Sequence, residues 1–507
     1  MIAPPMSLPK TLGELKASGW KSRPVREELR ENLLKALASG EGLFPGIVGY
    51  DDTVLPQLHN ALLARHHLLL LGLRGQAKTR LLRSLTRLLD EAMPVIRDSP
   101  LNEDPYHPVL KSSLERVAAD GDRLAIDWMP RDARYQEKLA TPDVSMADLI
   151  GDVDPIKAAT RRLSYSDEGV LHYGIIPRSN RGIFVINELP DLQTRIQVGL
   201  LNLLEEGDVQ IRGFPVRMPL DLLLAFSANP EDYTNRGNII TPLKDRLDAQ
   251  IITHYPKSLD EGIRITAQEA WTSRGGPEAA VPDLLRSLVE EIAFQARKSA
   301  LVDRSSGVSA RLSISALESV VSTMERRALR TKEPAYPRIL DLQACLPAVT
   351  GKVELVYEGE QEGVLAVAKR LIGEAVKARF QAVFPKVHVK KARAAKASAA
   401  SAPAPEVDGP YDPLTRWFAK DHAVLLTDAM SSAEYRLALE EVPGLKDFVT
   451  RHAKPASEAE RLLLMELVLE GMSQHSLISK EEDGVSTQYG DMLKQLMGGG
   501  PGTEEDA

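Results

Sequence analysis

Apolar residues recur at three- and four-residue spacing through ELKASGW and VREELRENLLKALASGEG, and this predicts an N-terminal helical segment over residues 1–45, closed by Gly40 and Gly42. From Gly46 to about Pro256 the pattern changes to short apolar runs separated by helical stretches, which predicts an α/β core over residues 46–256 around a largely parallel sheet. The runs predicted as strands are HHLLLLGL (66–73), LAIDWMP (124–130), GIFVINEL (182–189), LLLAFSANP (222–230) and AQIITHYP (249–256). Helical periodicity returns near 278–299, 309–330 and 338–349, so residues 257–356 read as a small helical lid. The segment 357–385 reads as a further helix, VLAVAKRLIGEAVKARFQAVF, that stops at Pro385. Residues 386–410 have the Lys, Ala, Ser and Pro bias of a flexible linker, residues 411–497 read as a separate helical domain, and 498–507 as a disordered tail.

Composition narrows this picture little. At 507 residues, with 43% hydrophobic and 26% charged positions, the chain is a globular protein of several folded units. A net charge of −8 argues against nucleic acid or membrane as the main partner. The single cysteine, Cys345, excludes an internal disulfide framework and a cysteine-rich zinc site. The start MIAPPMSLPK lacks a signal peptide's regions, and no apolar run approaches the roughly 20 residues of a membrane span, so the expected location is cytoplasmic.

The chemistry concentrates at the ends of the predicted strands. Gly72-Leu73-Arg74-Gly75-Gln76-Ala77-Lys78-Thr79 follows the first apolar run and precedes the helical LLRSLTRLL. That order suits a phosphate-binding loop, because a helix start offers unpaired amides and a favourable dipole to anions. Lys78 is then the candidate for the terminal phosphates, and the Thr79 hydroxyl for Mg²⁺. Ala77 stands where the motif has its second glycine. The strand Gly182–Ile186 ends in Asn187-Glu188, where an Asp-Glu pair is expected: Asn187 keeps an acceptor oxygen without the charge, and Glu188 is the candidate base for an attacking water. The next strand delivers Asn229, either an orienting group for that water or a turn former before Pro230. Arg246 is a candidate trans-acting guanidinium, Arg311 a sensor on the lid, and Arg178 and Arg181 are further candidates to face a neighbour.

Taken in order, these motifs resemble the ATPase subunit of magnesium chelatase and the related MoxR-type AAA+ proteins over roughly residues 44–356. FPGIVGYDD resembles the segment beside the adenine, SPLNEDPYHP the segment between the first two strands, and TPDVSMADLIGDVDPIKA the inserted strand pair. HYGIIPRSNRGIFVINELPDL resembles the approach to Walker B; LLNLLEEGDVQIRGFPVRMPLDLLLAFSANPED resembles the hairpin ahead of sensor 1, and TPLKDRLDAQI the arginine-finger segment. The resemblance implies a three-layer P-loop NTPase core with ATP and Mg²⁺ as cofactors. It implies Ile47, Val48, Gly49 and Gly72 through Arg80 as the nucleotide-binding set, Thr79 and Asn187 on the metal side, and Glu188, Asn229, Arg246 and Arg311 in catalysis. A homo-oligomeric ring, commonly a hexamer, and a partner with a von Willebrand A domain are implied in the same way.

Three functions fit: a remodelling ATPase, a nucleotide-gated scaffold that Ala77 and Asn187 keep from turning over, and a literal chelatase subunit. A sigma-factor activator does not fit, since its G-A-F-T-G-A loop is missing.

Overall fold

The structure, a computed structural model, describes residues 8–40, 42–161, 168–211, 217–230, 237–277, 279–334, 336–387 and 409–492. The chain divides into two compact units at Tyr255/Pro256. Most of the predicted linker, the whole of the predicted tail and the centre of the 209–218 hairpin lie outside the described residues.

The first unit is built on five parallel strands, β1 (Leu68–Leu71), β2 (Tyr135–Leu139), β3 (Gly182–Asn187), β4 (Leu222–Ala228) and β5 (Ala249–Ile252), in the order β5-β1-β4-β3-β2. Side chains alternate across the strands with period two. Leu68, Leu70, Ile183, Val185, Leu223, Ala225 and Ile251 enter one core, which they share with helices α1 (Val25–Ser39), α2 (Val54–Leu63) and α3 (Lys78–Ser84). Leu69, Phe184, Ile186, Leu222, Leu224 and Phe226 enter the other. A continuous apolar run is what a strand covered on both faces requires, and this is why β1, β3 and β4 were legible.

The second sheet strand corrects the sequence reading. Ile126–Pro130 is extended, but it pairs antiparallel with Ala92–Ile96 outside the main sheet. The true neighbour of β3 is β2, YQEKL, an edge strand only partly buried and therefore without an apolar run. Two short hairpins project from the core: Gly151–Val153 pairs with Leu171–Tyr173, and Asp208–Gln210 pairs with Arg217–Pro219 just ahead of β4. The N-terminal helix is broken into Leu12–Ala17 and α1, and α1 ends at Gly40 with φ 71°, a left-handed cap that favours glycine.

The second unit holds α4 (Asp283–Lys298), α5 (Arg311–Thr331), α6 (Val364–Val383) and α7 (Glu458–Gln474). It also holds an antiparallel sheet of β6 (Val424–Thr427), β7 (Ser479–Glu482) and β8 (Ser486–Gly490), ordered β6-β8-β7. The expectation of a separate, wholly helical 411–497 domain is thus corrected twice. One hydrophobic core runs from Ala270 to Tyr489 and includes α6 and α7 together. A Cβ on Gly471 would stand 2.3 Å from the Phe380 ring, so only glycine permits this approach of α7 to α6. The strands SKEE and STQYG are short and polar, and apolar periodicity does not reveal them. Among the described residues no helix is long and apolar enough to cross a membrane.

Candidate functional site

The turn from β1 into α3 carries the predicted loop. Gly75 has φ 73°, and Ala77 caps α3 at φ 56° and ψ 18°, a left-handed conformation that costs a residue with a Cβ about 1–2 kcal/mol. The amides of the first helical turn are not capped by the Ala77 side chain. Lys78, the first helical residue, is buried and donates Nζ to the carbonyl oxygens of Gly72 and Leu73, the latter at 3.1 Å. Thr79 is half-buried and Arg80 exposed, one and two residues further along.

The loop is braced by side chains that local sequence patterns do not reveal. Tyr50 donates its hydroxyl to the Gln76 carbonyl at 2.8 Å and to the His254 carbonyl at 3.0 Å. Burial pushes the Tyr50 hydroxyl up to about 12, so it stays a donor at every physiological pH. Thr253 Oγ1 donates to Gln76 Oε1 at 2.7 Å, and the Tyr255 hydroxyl to the Arg74 carbonyl at 2.9 Å. Gly72 lies so close beneath these groups that a Cβ there would meet Thr253 Oγ1 at 1.9 Å. Tyr50 thereby draws the Ile47-Val48-Gly49 segment against the loop, with Ile47 packed on the α1–α3 core and Gly49 at φ 80°. Tyr50, Thr253 and Tyr255 lie near the loop only in three dimensions.

Strand register brings the remaining groups to the same edge. Leu71 pairs with Ala228, Phe226 with Ile186, and Leu139 with Asn187, so the strands end together beside the loop. Ser227, buried on β4, donates its hydroxyl to Asn187 Oδ1 at 3.0 Å and accepts from the Glu188 amide at 3.3 Å. Glu188 has φ 56° and ψ 51°, a left-handed strain of the kind that gathers at functional sites. Asn229 Oδ1 is buried and has no hydrogen-bond partner among the described residues, an orphan acceptor just past the end of β4.

The arginines separate clearly. Arg246 follows the short helix Thr241–Asp245 and is held by Glu205 at 2.7 Å and by the Pro242 carbonyl at 3.0 Å. Arg311 is the exposed first residue of α5, in the second unit. Arg178 is exposed and lines a cavity of about 780 Å³ with Lys157, His172 and Tyr173. Arg181 does not face outward: it is buried, donates to the Pro94 carbonyl at 2.7 Å and lies 3.6 Å from Asp104. It holds the strand Ala92–Ile96, so its candidacy as a group facing a neighbour is withdrawn.

Among known proteins, the magnesium-chelatase subunit ChlI of Nostoc sp. is 27% identical over 241 residues, covering 46% of this chain and 60% of that protein. The chloroplastic magnesium-chelatase subunit ChlI of Chlamydomonas reinhardtii is 30% identical over 234 residues, 43% of this chain and 51% of that protein. The chain therefore spans only 51–60% of the length of these curated relatives. A structure of the complex between subunits BchI and BchD of magnesium chelatase aligns with 63% of this chain and 98% of its own, at 19% identity and a TM-score of 0.33. No protein-family model matches the chain. With its loop, parallel sheet and strand-end polar groups in this order, the chain is similar in sequence to the magnesium-chelatase subunits ChlI over less than half of its length, and its first unit is an α/β fold on a parallel sheet.

Proposed function

We propose that the first unit binds ATP with Mg²⁺ and hydrolyses it, and that the chain works in a homo-oligomeric ring to remodel a protein partner. The observation that carries this reading is the convergence of the Gly72–Thr79 loop, Asn187, Glu188 and the orphan Asn229 Oδ1 at one edge of the sheet. These residues fit the ligand. The N-terminal end of α3 and Lys78 suit phosphate oxygens; the Thr79 hydroxyl and Asn187 Oδ1 suit a divalent cation; Asn229 and Glu188 suit a water. The cation, when bound, neutralises charge on the β- and γ-phosphates.

In the proposed step, water attacks the γ-phosphorus in line, the bond to the ADP oxygen breaks, and Glu188 takes the water's proton. Asn229 orients the water. Arg246 meets the spreading negative charge of a neighbouring subunit's nucleotide, and Arg311 senses the nucleotide from the second unit. A von Willebrand A-domain protein is the proposed partner.

A second reading, a nucleotide-gated scaffold with little turnover, is favoured by two observations: the strained Ala77 cap and the uncharged Asn187. Release of phosphate from ATP by the purified full chain decides between them, with Lys78→Ala and Glu188→Gln beside it. Turnover above both variants supports the motor. ATP binding with turnover no higher than Glu188→Gln supports the scaffold, and the absence of both binding and turnover overturns the nucleotide reading. A literal chelatase role, the one the relatives' names carry, is tested by adding the chain to a magnesium chelatase that lacks its ChlI subunit.

A further inference from the structure

The register between β3 and β4 ends with Phe226 on Ile186, one residue short of the strand-end pair Asn187-Glu188. Beyond that point a side chain takes over from the backbone ladder. Ser227, the next residue on β4, accepts from the Glu188 amide at 3.3 Å and donates to Asn187 Oδ1 at 3.0 Å. Proton accounting fixes both directions. A backbone amide only donates, so Glu188 occupies a lone pair of the hydroxyl and leaves the hydroxyl proton for Asn187. Of the two orientations of the Asn187 amide, the one with Oδ1 toward Ser227 is the one that uses this proton. One hydroxyl is thus bonded to both members of the pair, the group suited to a cation and the candidate base.

The placement of Ser227 makes these bonds count. Leu223 and Ala225 on β4, with Ile183 and Val185 on β3, enter the core shared with α3, so strand alternation puts Ser227 and Asn187 on the sheet face that carries the phosphate-loop helix. Ser227 is buried, and water does not compete for its partners. Glu188 leaves β3 at φ 56° and ψ 51°, a left-handed conformation that persists only where its surroundings over-determine it. Three hydrogen bonds do this: the Ala140 amide to the Asn187 carbonyl at 2.8 Å, the Asp191 amide to the Glu188 carbonyl at 3.0 Å, and the Glu188 amide to Ser227. The first two join backbone to backbone, whatever the side chains are. The third depends on the residue at position 227. A serine that merely filled space on a buried strand could become alanine with no consequence for Glu188.

We infer that Ser227 is a positioning residue for the candidate base: it holds the Glu188 amide in the turn that ends β3 and, with its own proton, fixes Asn187 Oδ1 beside it. Two residues further along the same strand end comes Asn229 with its orphan acceptor, so β4 sets both groups proposed to act on the attacking water. This rests on the proposed ATP hydrolysis and adds a residue to it.

The test compares Ser227→Ala and Ser227→Thr with the unaltered full chain. Hydrogen exchange of the ligand-free protein, read by mass spectrometry over the peptide that contains Glu188, reports the positioning directly. Ser227→Ala is expected to speed exchange there about tenfold. In phosphate release from ATP, Ser227→Ala is expected to lower turnover by about ten- to a hundredfold, the effect of a small misplacement of reacting groups, with the ATP dissociation constant within about twofold. Ser227→Thr, which keeps the hydroxyl, is expected to rescue both. Ser227→Ala/Glu188→Gln should turn over no more slowly than Glu188→Gln, because the two changes act through one group. The inference is overturned by unchanged exchange or unchanged turnover in Ser227→Ala, by an equal loss in Ser227→Thr, or by a double variant slower than Glu188→Gln by the full Ser227→Ala factor. ATP binding without turnover in the unaltered chain overturns it while sparing the nucleotide-binding reading. No ATP binding at all overturns both.

Discussion

Ala77 adopts at φ 56° a conformation that glycine would adopt without steric cost, and it does so at the first cap of the phosphate loop. The sequence places an alanine where the motif has its second glycine, and the structure shows the backbone cost of that exchange. The left-handed cap costs alanine about 1–2 kcal/mol, of which the greater unfolded freedom of glycine returns about 0.5–1. Ala77→Gly is therefore expected to stabilise the chain by up to about 1.5 kcal/mol in urea unfolding, where the same change inside a helix destabilises. A loss of stability would show that the cap is not left-handed. Lys78 and Thr79 were legible because their spacing is local, and Asn187, Glu188 and Asn229 because each ends an apolar run. Tyr50, Thr253, Tyr255 and Ser227 were not, because what makes each of them relevant is a hydrogen bond across 26 to 204 residues of chain.

Elements are held in place by buried charge as well as by apolar surface. Helix α1 is fixed to the β2 side of the sheet by Glu28, which takes Arg134 in a bidentate pair at 2.7 and 2.6 Å and accepts from the Asp90 amide at 2.7 Å. Both side chains are nearly inaccessible, at 5% and 1%. Glu28→Ala would leave the Arg134 cation buried and unpaired, an expected loss of about 3–5 kcal/mol in urea unfolding. In the second unit, Glu466 on α7 accepts from the Leu340 amide at 3.1 Å, the Ile339 amide and the Tyr435 hydroxyl, all buried. Burial pushes this carboxyl up to about 7, although the donors oppose the shift. The folded state then holds a proton that the unfolded state has already lost. The contribution of Glu466 to stability therefore falls as pH rises from about 4.5 to about 7, by on the order of 3 kcal/mol, and is level outside that window. Urea midpoints measured from pH 4.5 to pH 8 should show this fall in the unaltered chain, and Glu466→Gln should flatten it.

The two units have separate cores, and the proposed catalytic roles are divided between them: the loop and strand-end groups lie in the first, and Arg311 opens α5 in the second. In the first unit Arg246 is engaged by Glu205 of its own chain. If it acts in trans, Arg246→Ala should lower ATP turnover by about 10³-fold while leaving ATP affinity within a few-fold. Light scattering should show the unaltered chain growing from monomer to ring on adding ATP. A chain that remains monomeric at saturating ATP would remove Arg246 from the mechanism.

The alternation of apolar runs with helical stretches was enough to specify a parallel α/β core and the loop at its edge, because strands buried on both faces and a strand–loop–helix phosphate motif leave continuous local signatures. Strand order, the identity of β2, the short polar sheet of the second unit and its single core left none. An edge strand such as YQEKL is half-solvated and need not be apolar, and the close crossing of α6 and α7 depends on Gly471 meeting Phe380 from 91 residues away. The loop's braces and the Ser227 hydroxyl beside Asn187 belong to the same class: their partners are chosen by the register of the sheet, and register is a property of the folded chain.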